Sequence, residues 1–254
     1  MGGVTRDQHE KILKTRHKAV ILRISFRERF LRNVSPSTWE SGSAWWRSSR
    51  NRSFLRTPRE TLSVLKSEGY QQCSFIEGTL ESLEQIEGDR FDLVFARLLL
   101  MHLDDPILGL RQMYGQVRPG GRIVVQDYYF PAVDSYPPVE AFAEFKKVFF
   151  GAYNEAGRET RMGLKLPGLF IEAGIGPPDG TDVSAFLLPS RVGAEMLAAV
   201  YRSVLPVALK HGLTTERQSL SFLEELRKSQ SANCYILWPL LVSAWRQKAA
   251  EDRS

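Results

Sequence analysis

Cysteine is scarce in this chain, and its scarcity closes two routes to stability. Only Cys73 and Cys234 occur. They lack metal-type spacing and cannot build a disulfide framework, so a reduced, cytoplasmic setting is expected. The histidines His9, His17, His102 and His211 stand apart without neighbours at ligand spacing, so no metal site is expected. No apolar run reads as the about 18 residues of a membrane span, and the start has no signal-type apolar region. No membrane partner is therefore expected. No G-x-G-x-x-G follows a strand-like run, which argues against a nicotinamide dehydrogenase.

What remains is ordinary in amount and uneven in distribution. A chain of 254 residues, 43% hydrophobic and 25% charged, is long enough for one α/β domain with a full core. The net charge of +5 hides an asymmetry: residues 1–60 hold 14 Lys and Arg against 5 Asp and Glu. The rest of the chain is slightly acidic. A basic arm can bind phosphates, but the main domain carries no basic stripe and no nucleic-acid motif, so no nucleic-acid partner is expected. The apolar spacing of Ile12, Leu13, Val20, Ile21 and Ile24 suits a surface helix over 9–32. Residues 33–57 crowd Ser, Arg and Trp without a period of 2.0 or 3.6, and no regular element is expected there.

The segment 91–131 is the most informative. Phe91 to Ala96 is a short apolar run that reads as a strand buried on both faces. A helical stretch, Leu108 to Val117, follows. Then come Arg118-Pro119-Gly120-Gly121 and a second strand-like run, Arg122 to Asp127. Two such strands joined by a helix form a right-handed crossover of a parallel sheet. Open α/β sheets bind ligands beyond the carboxyl ends of their strands. This places Ala96-Arg97 and Asp127-Tyr128 at a cleft.

F-D-L-V-F-A-R, then M-H-L-D-D-P, then R-P-G-G-R-I-V-V-Q-D resembles the fourth strand, helix and fifth strand of class I S-adenosylmethionine-dependent methyltransferases. Phe75-Ile76-Glu77-Gly78 and Leu166-Pro167-Gly168-Leu169 extend the likeness over roughly residues 60–250. The resemblance implies a mainly parallel Rossmann-like sheet with an antiparallel last strand. It also implies helices inserted between the last two strands, where 190–230 becomes a candidate lid over the substrate.

The remaining text fits that architecture. A helix is expected over Pro58–Glu68 with Thr57 as N-cap, a strand over Gln72–Glu77, and a short helix or turn over Leu80–Ile86. Val139–Ala156 reads as a helix with an aromatic face of Phe142, Phe145, Phe149 and Tyr153, and Leu166–Ala173 as another helix. Asp182–Leu187 suits a strand, and Arg191–Leu209 and Thr215–Ser229 two amphipathic helices. Ala232–Trp245 is expected as one last strand in which Pro239 marks a bulge or an edge. The domains expected are thus a basic, irregular segment 1–57 and a methyltransferase-like domain 58–254.

One part of the family pattern is missing. The resemblance calls for D-x-G-x-G-x-G after the first strand and an acidic residue after the second, and neither precedes residue 60. Back-translating Ser37 to Trp46 and reading from one nucleotide earlier permits D-V-G-V-G-V-G-V-V-A, the first glycine being forced by the Trp39-Glu40 codons. Part of 30–57 can therefore be read as out of frame relative to an ancestral gene. A diverged loop that evolved in place is the other reading, and the nucleotide sequence decides between them.

The resemblance also nominates site residues. Gly78, Thr79 and Leu80 correspond to the family's Gly-Asp turn after strand three, with Thr79 a weaker adenine partner than the acid. Ala96, Arg97 and Leu98 lie beside the cofactor, and Arg97 is placed to meet its carboxylate. Asp127, Tyr128 and Tyr129 follow strand five, where acceptors sit. His102 reads as a packing or capping residue rather than a general base. The function implied is methyl transfer from S-adenosylmethionine to a small-molecule acceptor. Its rival is a methyltransferase-like protein without catalysis, acting as a binding module.

Overall fold

A computed structural model describes residues 90–229 and 233–250, the strands Val20–Ile24 and Ser74–Gly78, and the single positions Ser63, Ser67 and Leu83. The expectations for 33–57, the Thr57 cap, Thr79, Leu80, His9, His17 and Cys73 lie outside the described residues. Ser63 and Ser67 are helical, within the helix expected over 58–68.

The main sheet grows from the segment read as a βαβ crossover. Strand β3, Phe91–Arg97, runs parallel to β4, Val117–Tyr129. Between them lies helix α1, Pro106–Gly115, started by Asp105, whose carboxylate accepts the Leu108 N–H at 2.9 Å. Strand β4 begins earlier than the sequence suggests, because Pro119-Gly120-Gly121 is carried inside it as an irregularity in the pairing with β3. Gly120 adopts φ 73, and a Cβ on Gly121 would lie 2.9 Å from the carbonyl oxygens of Phe91 and Asp92. Glycine is what lets β4 approach β3 so closely there.

The sheet is completed by β6, Gly180–Ser184, and β9, Leu240–Gln247, in the order β3-β4-β9-β6. β9 runs antiparallel to both β4 and β6, as expected of the last strand. Helix α3, Met162–Glu172, packs across β4 and β9. Its Gly163 permits this: a Cβ there would meet the Asp127 carbonyl oxygen at 2.7 Å and Val242 at 2.9 Å.

Helix α2, Glu140–Glu155, buries Phe142, Phe145, Phe149 and Tyr153, the aromatic face read in the sequence. Phe149 is fully buried among Phe130, Phe145, Phe150 and Tyr153, with ring centroids 4.4–5.5 Å away. Helices α4, Ser190–Lys210, and α5, Glu216–Ser229, form the inserted pair. They pack on α2 and on each other, so the insertion is part of a helical layer over the aromatic face.

Four expectations need correction. Val20–Ile24 is not helical but forms strand β1, parallel to β2, Ser74–Gly78. The apolar run Val20-Ile21-Leu22, with two β-branched residues, sits in a ladder, and strand pairing outweighs a weak helical spacing. Among the described residues β1 and β2 make a two-stranded sheet of their own. The single strand expected over Ala232–Trp245 is two strands, β8, Tyr235–Leu237, and β9, parted at Pro239, which cannot donate to a ladder. Asp182–Leu187 likewise divides: β6 ends at Ser184, and β7, Leu187–Pro189, joins β8 and β5, Asp134–Tyr136, in a small antiparallel sheet.

The fourth correction concerns apolar length. Helix α4 spans 21 residues, an 18-residue stretch of it has a mean hydropathy of 1.4, and it is long and apolar enough to cross a membrane by length and composition. Its buried residues, Gly193, Ala194, Leu197, Tyr201, Val204 and Ala208, recur at helical spacing and face α2, α5 and β8. Arg191, Arg202 and Lys210 interrupt the other faces. That pattern belongs to a core helix.

Candidate functional site

The carboxyl ends of β3 and β4 lie side by side, and the chain makes an unusual turn where β3 stops. Ala96 is buried in the strand and Arg97 is exposed at its end. Leu98 then adopts φ 52, in the left-handed region that a leucine enters only under constraint. Its N–H donates to the Gln126 carbonyl at 2.9 Å, so the turn is still attached to β4. A 3₁₀ turn, Leu100–His102, follows.

Asp127, one residue beyond Gln126 on β4, is fully buried beneath this turn. One carboxylate oxygen accepts the Met101 N–H at 3.2 Å and the other the Tyr128 N–H at 3.0 Å. Burial pushes the carboxyl up to about 6, against the backbone N–H groups of Tyr128, Met101, Leu100 and Leu99, which favour the charged form. Tyr153 of α2 is close enough to feel that charge. Burial first, then Asp127, raises its hydroxyl to about 12, while Arg158 acts in the opposite sense.

Arg158 fastens the far side of the turn. Its guanidinium donates to the His102 carbonyl at 2.7 Å and pairs with Asp104 at 3.1 Å. Burial, with Arg158 second, lowers the His102 pKa, so His102 is neutral at pH 7. The position of Arg158 is set by the end of α2. Gly157 takes φ 64, and the Arg158 N–H caps the Tyr153 carbonyl at 2.8 Å.

Next to this cluster lies a cleft of about 580 Å³, lined by Pro131, Phe150, Asn154, Arg158, Glu159 and Thr160. It opens just past the end of β4, where the Phe130 N–H donates to the Thr160 carbonyl at 2.9 Å. Two walls are apolar and four carry polar groups, a composition suited to a small polar organic molecule.

The comparisons with known proteins bear on this geometry. Residues 55–125 match the family model described as a methyltransferase domain. A Bacillus halodurans protein assigned by inference as a methyltransferase superposes with a TM-score of 0.50 at 12% identity, over 98% of this chain and 100% of that one. The chain thus carries a methyltransferase-domain match over 55–125 and shares the methyltransferase fold. More distant likenesses include the Haemonchus contortus phosphoethanolamine N-methyltransferase, at 14% identity and a TM-score of 0.37 over 76% of this chain and 41% of that one. An arsenic(III) S-adenosylmethionine methyltransferase from Chlamydomonas reinhardtii gives 15% and 0.36 over 78% and 55%. No curated protein matches the chain by sequence.

Within this methyltransferase fold the nominated residues fall in different places. Ala96, Arg97 and Leu98 stand together at the end of β3, and Gly78 ends β2. Asp127 points into the protein, onto the turn, and not into the open cleft. Tyr128 and Tyr129 are half-buried and paired with Leu241 and Leu240 of β9. The Tyr128 hydroxyl accepts the Trp238 indole N–H at 3.0 Å, and its ring meets Phe130 edge-on at 5.2 Å. The cleft residues on α2 and in the 158–160 loop had not been singled out from the sequence. Gly157 after a long amphipathic helix was the available signal that Arg158 would be held in a fixed cap.

Proposed function

We propose that this chain binds S-adenosylmethionine and transfers its methyl group to a small-molecule acceptor. The observation that carries the proposal is the strained, tightly tied turn at the carboxyl end of β3, inside the segment that matches the methyltransferase domain. The residues there fit the donor. Arg97 is exposed at the strand end, where it can meet a carboxylate, and half-buried Leu98 offers apolar surface beside it, with Ala96 buried behind them. When bound, the donor supplies an electrophilic methyl group on a sulfonium. Such displacement depends mainly on alignment, so the chain's own task is to hold two reactants in line and keep water away.

The acceptor, in this reading, enters the cleft at Phe150 and Arg158. Phe150 and Pro131 offer apolar contact, while Asn154, Glu159 and Thr160 offer polar atoms for orientation. Neutral His102 belongs to the supporting turn and does not act as a base. A cytoplasmic location remains part of the proposal.

A second reading has a specific observation behind it. Thr79 stands where the family places an acid, and the glycine-rich turn is absent from the translated sequence. A methyltransferase-like binding module without catalysis follows from those departures. Calorimetric titration of the purified chain with S-adenosylhomocysteine tests both. Saturable one-to-one binding, followed by methyl transfer from labelled donor to members of an acceptor panel, supports the enzyme. Binding without transfer across the panel favours the module, and absence of binding removes the donor from either reading.

A further inference from the structure

Two energetically unfavourable features sit together where β3 ends. Leu98 holds a left-handed conformation without being glycine, and Asp127 keeps a carboxylate wholly out of water. Each alone is unusual, and together they are connected. Leu98 hangs from β4 by its N–H on the Gln126 carbonyl, and Asp127 is the next residue along β4. The carboxylate reaches up to the Met101 N–H at 3.2 Å, and the Leu99 and Leu100 N–H groups also favour its charged form. The chain is thus held on both sides of Leu98.

We propose that Asp127 is a positioning residue of the donor site: its carboxylate fastens the Leu99–Met101 turn and thereby keeps Leu98 aimed at the donor. This rests on the reading of the β3 end as the donor site, and it reassigns Asp127 from the acceptor contact expected from the sequence. Several facts agree. A carboxylate can accept from several N–H groups with both oxygens, which a neutral amide of the same shape cannot, so its costly burial is matched to the N–H groups of this turn. Buried polar atoms that stay charged tend to be kept where geometry matters. The neighbouring groups do not replace it: Tyr153 carries a neutral hydroxyl, neutral His102 lies within the turn itself, and Arg158 is engaged by the His102 carbonyl and by Asp104.

The test uses the full chain, ¹⁵N-labelled, with Asp127→Asn, Leu98→Gly and the double variant. Asn keeps the shape but replaces one accepting oxygen by an NH₂ that faces N–H donors. Amide hydrogen exchange without ligand should speed up at Leu99, Leu100 and Met101 in Asp127→Asn by about tenfold or more, and little elsewhere. Affinity for S-adenosylhomocysteine, read by chemical-shift titration so that weak binding is still measured, should fall about tenfold. Glycine pays no penalty at a left-handed position. Leu98→Gly alone should lower the affinity, because it removes a side chain that meets the donor, but the double variant should lose less than the two single losses multiplied together, a partial rescue of the Asp127→Asn defect. A merely structural role would not give that rescue.

Unchanged exchange at the three amides, or unchanged affinity in Asp127→Asn while the native chain binds, overturns the positioning role alone. A native chain that does not bind S-adenosylhomocysteine overturns the donor reading as well. The exchange result still shows in that case whether Asp127 fastens the turn.

Discussion

A leucine in the left-handed region costs roughly 1–2 kcal/mol relative to its allowed conformations. The charged form of Asp127 is also disfavoured by burial, and the sign of that effect can be read from pH. Its folded pKa, about 6, lies above the unfolded value of 3.8, so between those values the folded chain binds a proton that the unfolded chain has released. Stability therefore falls as pH rises through this window, by at most about 3 kcal/mol from this group. His102 works in the opposite direction, because its folded pKa is lowered. Comparing native chain with Asp127→Asn cancels His102, which both contain. Urea unfolding between pH 4.5 and 7.5 should show the native chain losing stability relative to the variant as pH rises. A difference that stays flat, or grows with pH, would mean that Asp127 is not held charged against burial.

At the level of elements, the largest stake lies in α2 and the rings it buries. Phe149 is fully buried and touches four other aromatic rings, one from the turn after β4 and three from α2 itself. Phe149→Ala should cost about 3–5 kcal/mol, since the surrounding helices α4 and α5 limit collapse into the cavity. A loss of unfolding free energy below about 1 kcal/mol, read from denaturant titration, would show that the aromatic cluster is loosely packed. This helix was legible in the sequence because its aromatic residues recur at helical spacing. So were β3, α1 and the pairing of β3 with β4, where β-branched runs and the Pro-Gly-Gly turn carry strong local signals. The division of the last strand at Pro239 was only half visible: the proline announced an irregularity but not which sheet each half would join. Strand β1 was misread because short apolar runs with charges between them fit both periods, and only pairing with β2 decides. At the site, the cluster at the end of β3 could be placed from topology. The left-handed Leu98 could not, because nothing in a leucine's chemistry signals it. Nor could the inward turn of Asp127, which depends on where the 3₁₀ turn's N–H groups fall in space.

At the scale of the whole molecule, the order β3-β4-β9-β6 leaves β3 at one edge of the main sheet among the described residues. Class I methyltransferases, by the resemblance drawn above, place the glycine-rich strand and turn that hold the donor's amino-acid end next to that strand. The translated sequence offers no such turn before residue 60, while Ser37–Trp46 permits it in the neighbouring frame. If the frame reading holds, replacing residues 37–46 with Asp-Val-Gly-Val-Gly-Val-Gly-Val-Val-Ala should raise affinity for S-adenosylhomocysteine. Each backbone N–H regained against a charged carboxylate is worth about 1.5–3 kcal/mol, so even one restored contact should raise affinity roughly tenfold or more. The strand leading into the turn has to form too, so a second variant should restore 30–57 in the shifted frame throughout. Both are titrated beside the native chain, with Arg97→Ala added to each to ask whether the gain depends on the β3 end. A gain that Arg97→Ala reduces ties the restored turn and β3 to one donor site. Equal binding by native and repaired chains would mean that 37–46 has no part in holding the donor, and that the end of β3 with its Asp127-tied turn carries the binding by itself.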